Sequence, residues 1–138
     1  MRLGGGSVHR YGLDDAILIK DNHIAVCGGV KEAIRAAKAY AGHLVKIECE
    51  VTNLDQLKEA LAERPDVILL DNMAPELLEK AVKINEAQGD RKVVLEASGG
   101  ISLKTIRAVA ETGVDFISTS KITMAAPTLD VGLDVEVK

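Results

Sequence analysis

Two carboxylates, a lysine and a glycine pair carry the chemistry open to this chain, and each stands where an apolar run breaks off. Leu18-Ile19 runs into Lys20-Asp21-Asn22-His23, Ile47 into Glu48-Cys49-Glu50, and Leu69-Leu70 into Asp71-Asn72. Val93-Val94-Leu95 runs into Glu96-Ala97-Ser98-Gly99-Gly100, and Phe116-Ile117 into Ser118-Thr119-Ser120-Lys121. If the runs are adjacent strands, Glu50 and Asp71 converge, and paired carboxylates hold Mg²⁺ through oxygen ligands beside a phosphorylated substrate. Asp71 as an ordinary cap of the next helix explains the same spacing, and both readings stay open. Lys20 is either a solvated loop lysine or a point charge set against an anionic substrate. In Ser98-Gly99-Gly100 the glycines let backbone N–H groups approach a phosphate at a helix start. A glycine pair that merely turns the chain is the plainer alternative. His9-Arg10 follows Gly4-Gly5-Gly6, and an arginine can grip a carboxylate through two parallel hydrogen bonds.

The elements that must position these residues alternate regularly. The first dozen residues, to Gly12, are polar and glycine-rich and read as a loop. Strand one spans 16–20, and a helix over 30–40 carries the stripe Val30, Ala33, Ile34, Ala37 and Ala41. Strand two spans 44–51, and Asn53 caps a helix that buries Leu54, Leu57 and Leu61. Strand three spans 67–70, and Pro75 opens a helix carrying Leu77, Leu78, Ala81 and Val82. Strand four spans 92–97, and Ser102 caps a helix carrying Leu103, Ile106, Val109 and Ala110. Gly113 leads into strand five at 114–118, followed by a short turn over 121–126 and a tail over 129–137.

This βαβαβαβαβ order calls for a parallel α/β sheet whose strand ends share one rim, the rim at which such folds bind and react. Five strands are too few for a complete eight-stranded barrel, which usually takes at least roughly 200 residues. The expectation is therefore part of a TIM-like α/β barrel, with an open five-stranded flavodoxin-like sheet as the alternative. Strand two favours the barrel. Buried parallel strands are normally apolar throughout, yet Lys46, Glu48 and Glu50 alternate with Val45, Ile47, Cys49 and Val51. Helices covering both faces would bury those charges at high cost, whereas a barrel interior can face them toward a ligand-filled mouth.

Composition narrows the class. The chain has 138 residues, 47% of them hydrophobic, with no Trp, one Phe and two Tyr, so a single aliphatic core is expected. A net charge of −4 and the lack of a basic block argue against nucleic acid as a partner. No apolar stretch resembles a signal peptide or membrane span, and Cys27 and Cys49 are too few for a disulfide framework. A cytoplasmic protein with reduced thiols, without a membrane partner, is the expectation.

Taken together, these segments resemble the quinolinate phosphoribosyltransferase family, the carboxylating nicotinate-nucleotide pyrophosphorylases. The resemblance runs through Gly4-Gly5-Gly6, His9-Arg10, Leu13-Asp14 and Leu18 to Ile24. It continues through Glu48-Cys49-Glu50-Val51, Leu69 to Asn72, Glu96 to Ile101 and Thr112-Gly113-Val114-Asp115. It ends at Ala126-Pro127 and Leu129 to Asp134, and so covers nearly the whole chain in order. It implies transfer of phosphoribosyl from phosphoribosyl pyrophosphate to quinolinate with decarboxylation, giving nicotinate mononucleotide, pyrophosphate and CO₂, with Mg²⁺ required. By motif position it implies that His9, Arg10 and Lys20 bind the quinolinate carboxylates. Glu50 and Asp71 would serve the ribose hydroxyls and the metal, and Ser98, Gly99 and Gly100 the 5-phosphate, with Ser120 in the phosphate pocket. Lys20, Glu50 and Asp71 are the implied catalytic residues. His23 and Asn72 match motif residues to which the resemblance assigns no role.

Two departures stand out. Family members often carry Gly and His where Ser120 and Met124 stand, and Met124 cannot replace an imidazole. The family's N-terminal sandwich-like domain and a basic Thr-Arg-Lys-Thr type segment are not in this sequence, which therefore looks like the C-terminal portion of such an enzyme. In the family a neighbouring subunit completes the site, so a homodimer or higher homo-oligomer is expected. The competing reading is a non-catalytic oligomerising or phosphate-binding module derived from the barrel. A molybdenum-transport-associated paralogue is a third, disfavoured by the intact Lys20-Asp21-Asn22-His23 run.

Overall fold

The computed structural model describes residues 1–133, 135 and 136; Asp134 and Val137 of the tail reading, with Lys138, lie outside them. Following a 3₁₀ turn at Arg2–Gly4, the elements are β1 (Ala16–Ile19), α1 (Asp21–Cys27), α2 (Val30–Tyr40), β2 (Lys46–Val51) and α3 (Leu54–Glu63). Then come β3 (Val67–Asp71), α4 (Pro75–Glu86), a 3₁₀ turn at Gly89–Arg91, β4 (Val94–Ser98), α5 (Ile106–Ala110), β5 (Phe116–Ile117) and α6 (Lys121–Met124). Local chemistry accounts for the main boundaries. The Asn53 side chain accepts hydrogen bonds from the amides of Asp55 and Gln56 at 3.0 and 2.9 Å, and Pro75 occupies the first turn of α4.

All five strands are parallel and lie in the order β1-β2-β3-β4-β5. Right-handed crossovers between strands in unbroken sequential order put every connecting helix on one face. A doubly wound sheet would reverse its strand order at a switch point, so the flavodoxin-like alternative is excluded and the barrel-type arrangement holds. The helix-covered face carries the core. Ile19, Ile47, Cys49, Val51, Ile68, Leu70, Leu95 and Ala97 pack there against Ile34, Leu57, Leu61, Leu78, Ala81 and Val109.

Side chains of the opposite parity point to the inner face. Leu18, Glu48, Val67 and Val94 form one row across the register, and Glu50, Leu69, Glu96 and Phe116 the next. Asp71 pairs with Ser98 above them. The strand-two charges thus occupy the face free of helices, as the alternation required.

A recurring clamp aligns the strand starts. Asp66 accepts from the Ile47 amide at 2.9 Å while its own amide donates to the Ile47 carbonyl at 2.9 Å. Asp115 repeats this on Leu95, at 2.8 and 3.0 Å. Asn85 does equivalent work on Val93: its carboxamide donates to the carbonyl at 2.6 Å and accepts from the amide at 2.9 Å.

Several sequence expectations need correction. The stretch between strand one and the helix at 30–40, given no element from the sequence, holds a further helix whose first turn is Asp21-Asn22-His23 and whose last residue is Cys27. Ser102 does not cap α5. It sits in a turn whose carbonyl receives the Thr105 and Ile106 amides, so the helix starts at Ile106 and Leu103 is fully exposed. Strand five is only two residues long, Phe116–Ile117, shorter than the expected 114–118.

Asn85 is 4% exposed, so its loss strands two backbone groups at the start of β4. Asn85→Ala should lower the unfolding free energy by about 2–3 kcal/mol, read as a lower urea midpoint at unchanged slope.

Candidate functional site

The strand ends enclose a cavity of about 550 Å³ on the inner face. Lys20 follows β1, Glu50 lies near the end of β2, Asp71 closes β3, Ser98 closes β4 with Gly99-Gly100 after it, and Ser118 to Lys121 follow β5; all line it, with His9. Of the residues singled out from the sequence, Lys20, Glu50, Asp71, Ser98, Gly99, Gly100, Ser120 and His9 are brought together. Arg10 is not. Its guanidinium donates to the Ala16 carbonyl at the opposite end of β1. Met124 also lies outside the cavity, 80% exposed on α6.

Lys20 is held by its own backbone. Its amide donates to His23 Nδ1 at 2.9 Å and its carbonyl accepts from the Ile24 amide, so the start of α1 anchors the end of β1. This gives His23 its part: Nδ1 is the acceptor, leaving the ring proton on Nε2. Asp71 does not cap α4, whose N-cap is Ala74. Its carboxylate instead accepts from Asn72 Nδ2 at 2.8 Å and lines the cavity. The helix-cap alternative therefore falls.

Glu50 titrates above its ordinary range, first because it is partly buried and then because Asp71 adds a like charge, with Lys20 opposing both. The two carboxylates thus interact across β2 and β3. The Cys49 thiol is pushed up to about 12, chiefly by burial, and is inert at neutral pH.

At the β4 loop, Gly99 and Gly100 take left-handed conformations at φ 86° and 63°. Their amides and that of Ser120 have no acceptor among the described residues. N–H groups turned into a cavity in this way can hold an anion.

Below the rim lies a group that sequence reasoning did not single out as a site. His9 Nε2 is 2.9 Å from Glu48 Oε2 and 3.5 Å from Glu96 Oε1, and Ser118 Oγ donates to Glu96. Both glutamates are 8% exposed, and Glu48 Oε1 has no partner among the described residues. The signal was present: Glu48 stands two residues before Glu50, and Glu96 two before Ser98, so strand parity puts each pair on the same face.

Residues 1–134 match the family described as quinolinate phosphoribosyl transferase, C-terminal domain. The chain is 48% identical over 136 residues to a probable carboxylating nicotinate-nucleotide pyrophosphorylase of Methanocaldococcus jannaschii, covering 96% of this chain and 48% of that protein. It is 44% identical over 135 residues to the protein of the same name in Bacillus subtilis, covering 98% and 45%. The solved nicotinate-nucleotide pyrophosphorylase of Ehrlichia chaffeensis superposes with a TM-score of 0.83 at 42% identity, covering 98% of this chain and 47% of that one. The chain thus spans about half the length of the curated relatives it matches.

Burial, then the charge of Glu96, pushes the Glu48 carboxyl above its usual range, with His9 acting against both. The folded state therefore holds the Glu48 proton more tightly than the unfolded chain does. Stability is greatest below the ordinary glutamate range and declines as pH rises through the raised value. Glu48→Gln keeps an acceptor for His9 and removes the charge. It should unfold at a higher temperature than the parent at about pH 7, the difference closing toward about pH 4. Equal melting temperatures across that range would show that the buried charge carries no strain.

Proposed function

The chain belongs to the quinolinate phosphoribosyl transferase family, and from that premise we propose that its rim serves phosphoribosyl transfer from phosphoribosyl pyrophosphate to quinolinate. Decarboxylation accompanies the transfer, and the products are nicotinate mononucleotide, pyrophosphate and CO₂. One observation carries the reading: a lysine, two interacting carboxylates and a left-handed glycine loop meet in a single cavity.

Each part has a task suited to its chemistry. The amides of Gly99, Gly100 and Ser120, with the Ser98 hydroxyl, cradle the 5-phosphate. Lys20 offsets the charge of the quinolinate carboxylates, with His9 lining the same cavity. Arg10 joins them only if the loop before β1 swings its side chain away from the Ala16 carbonyl. Glu50 and Asp71 accept hydrogen bonds from the ribose hydroxyls. As the bond to pyrophosphate breaks and its electron pair leaves with the pyrophosphate, positive charge develops at the anomeric carbon, and the fixed carboxylates stabilise it.

The same pair fits Mg²⁺. Both donors are hard oxygens, and Asp71 raises the Glu50 carboxyl, a repulsion that a divalent cation would relieve. When bound, the ion would neutralise charge on the departing pyrophosphate.

We place the reaction in the cytoplasm, where free thiols such as exposed Cys27 persist. Among the described residues no helix is long and apolar enough to cross a membrane. A homo-oligomer suits the sheet, since β1 and β5 each present an unpaired edge among the described residues.

The test is quinolinate-dependent pyrophosphate release from phosphoribosyl pyrophosphate, with and without Mg²⁺. It is run on the chain alone and on the chain joined to the N-terminal portion of the Bacillus subtilis relative. Glu50→Gln and Asp71→Asn should each lower kcat/KM by about 10²–10³-fold. Folded protein without turnover in both forms would overturn the proposal. Phosphate binding without turnover would support a non-catalytic phosphate-binding module instead.

A further inference from the structure

Asn72 lies outside the cavity, yet three features of the structure converge on it. Its backbone takes the left-handed region at φ 53°, where only Arg64 joins it among the described non-glycine residues. Its side chain donates to Asp71 Oδ2 at 2.8 Å, and its amide donates to the Ser98 carbonyl at 2.9 Å. Its carboxamide also fills the space beside Gly99. A methyl group placed on Gly99 would lie 2.3 Å from Asn72 Oδ1 and 2.9 Å from the Asn72 nitrogen.

Each contact reaches a different part of the rim. The donation to Asp71 uses one lone pair of a carboxylate that faces the cavity and so limits its rotation. The hydrogen bond from the Asn72 amide to the Ser98 carbonyl ties the end of β3 to the end of β4, one residue beyond their last registered pair. The packing against Gly99 explains why glycine stands there beyond its own φ of 86°: a side chain has no room. Asparagine suits the position because it tolerates the left-handed region better than other residues with a side chain and still supplies a donor.

We propose that Asn72 is a positioning residue that locks the Asp71 carboxylate and the Ser98-Gly99-Gly100 loop into one rigid unit, so that the ribose side and the 5-phosphate side of the donor are held at fixed separation. The substrate assignment in this statement rests on the function proposed above; the mechanical lock does not. Asn72 does not line the cavity and acts through Asp71 and Gly99.

The two layers can be tested apart. Asn72→Gly keeps the left-handed backbone and the bond to Ser98 while removing the carboxamide. In the form of the protein that turns over, it should lower kcat/KM for phosphoribosyl pyrophosphate by about 10–100-fold. The KM for quinolinate should stay within about twofold of the parent, a split that general loosening of the fold would not produce.

The lock itself is read without substrate, from the melting temperatures of Asn72→Gly, Gly99→Ala and the double variant. Because the carboxamide is what most obstructs a methyl on Gly99, Gly99→Ala should cost about half as much or less in the Asn72→Gly background. Additive losses in that cycle would overturn the lock. A non-additive cycle with unchanged donor kinetics would overturn its part in donor positioning. If the parent itself shows no turnover, the function fails, and the cycle still decides the lock.

Discussion

The site depends on one constraint: the two faces of this sheet have opposite surroundings. Sequential strand order with right-handed crossovers stacks every connecting helix on one side, leaving the other free of helix. Period-two alternation then sorts each strand. Ile47, Cys49 and Val51 enter the aliphatic core, while Lys46, Glu48 and Glu50 face inward. The inner face holds its charge away from the helix layer, where the carboxylates can meet His9 and Lys20, and the strand ends concentrate that charge at a single rim.

That arrangement has an energetic cost, and the cost is local. Glu48 and Glu96 are buried close to one another, eased by His9, Ser118 and the charge of Arg10, and Glu48 keeps one oxygen without a partner among the described residues. Glu50 and Asp71 repel one another at the rim above. Carboxylates perturbed by burial and like charge cluster at functional sites. The Asp66, Asn85 and Asp115 clamps lie at the other end of the strands, where they secure strand alignment away from the rim. Stability and chemistry are therefore divided between the two ends of the same strands, as in barrel folds generally.

Much of the rim is legible in the sequence itself. Lys20, Glu50, Asp71 and Ser98 each end an apolar run, and a run that breaks into polar residues is a local signal that survives folding. Glu48 and Glu96 were harder to read, because each looks like an ordinary strand charge until register shows both meeting His9 from strands separated by β3. Arg10 shows the converse. Its place beside His9 in sequence suggests a shared task, yet in the fold only His9 lines the cavity, while the Arg10 guanidinium donates to the Ala16 carbonyl. The helix α1 was missed because Asp21-Asn22-His23 is polar; it is secured by the His23 bond to the Lys20 amide and by Ile24 against the core.

By itself the sequence determined the parallel βα repeat, the inward face of β2 and the set of residues at the strand ends. Those follow from periodicity and local breaks, which depend on neighbours along the chain. Only the tertiary structure decided that Asp71 faces the cavity instead of capping α4, that Arg10 stays out of it, and that Asn72 braces Gly99. Each of these turns on an approach between residues on different elements, or on a backbone conformation such as the left-handed turn at Asn72. No one-dimensional spacing encodes such distances, because they are set by how neighbouring strands align.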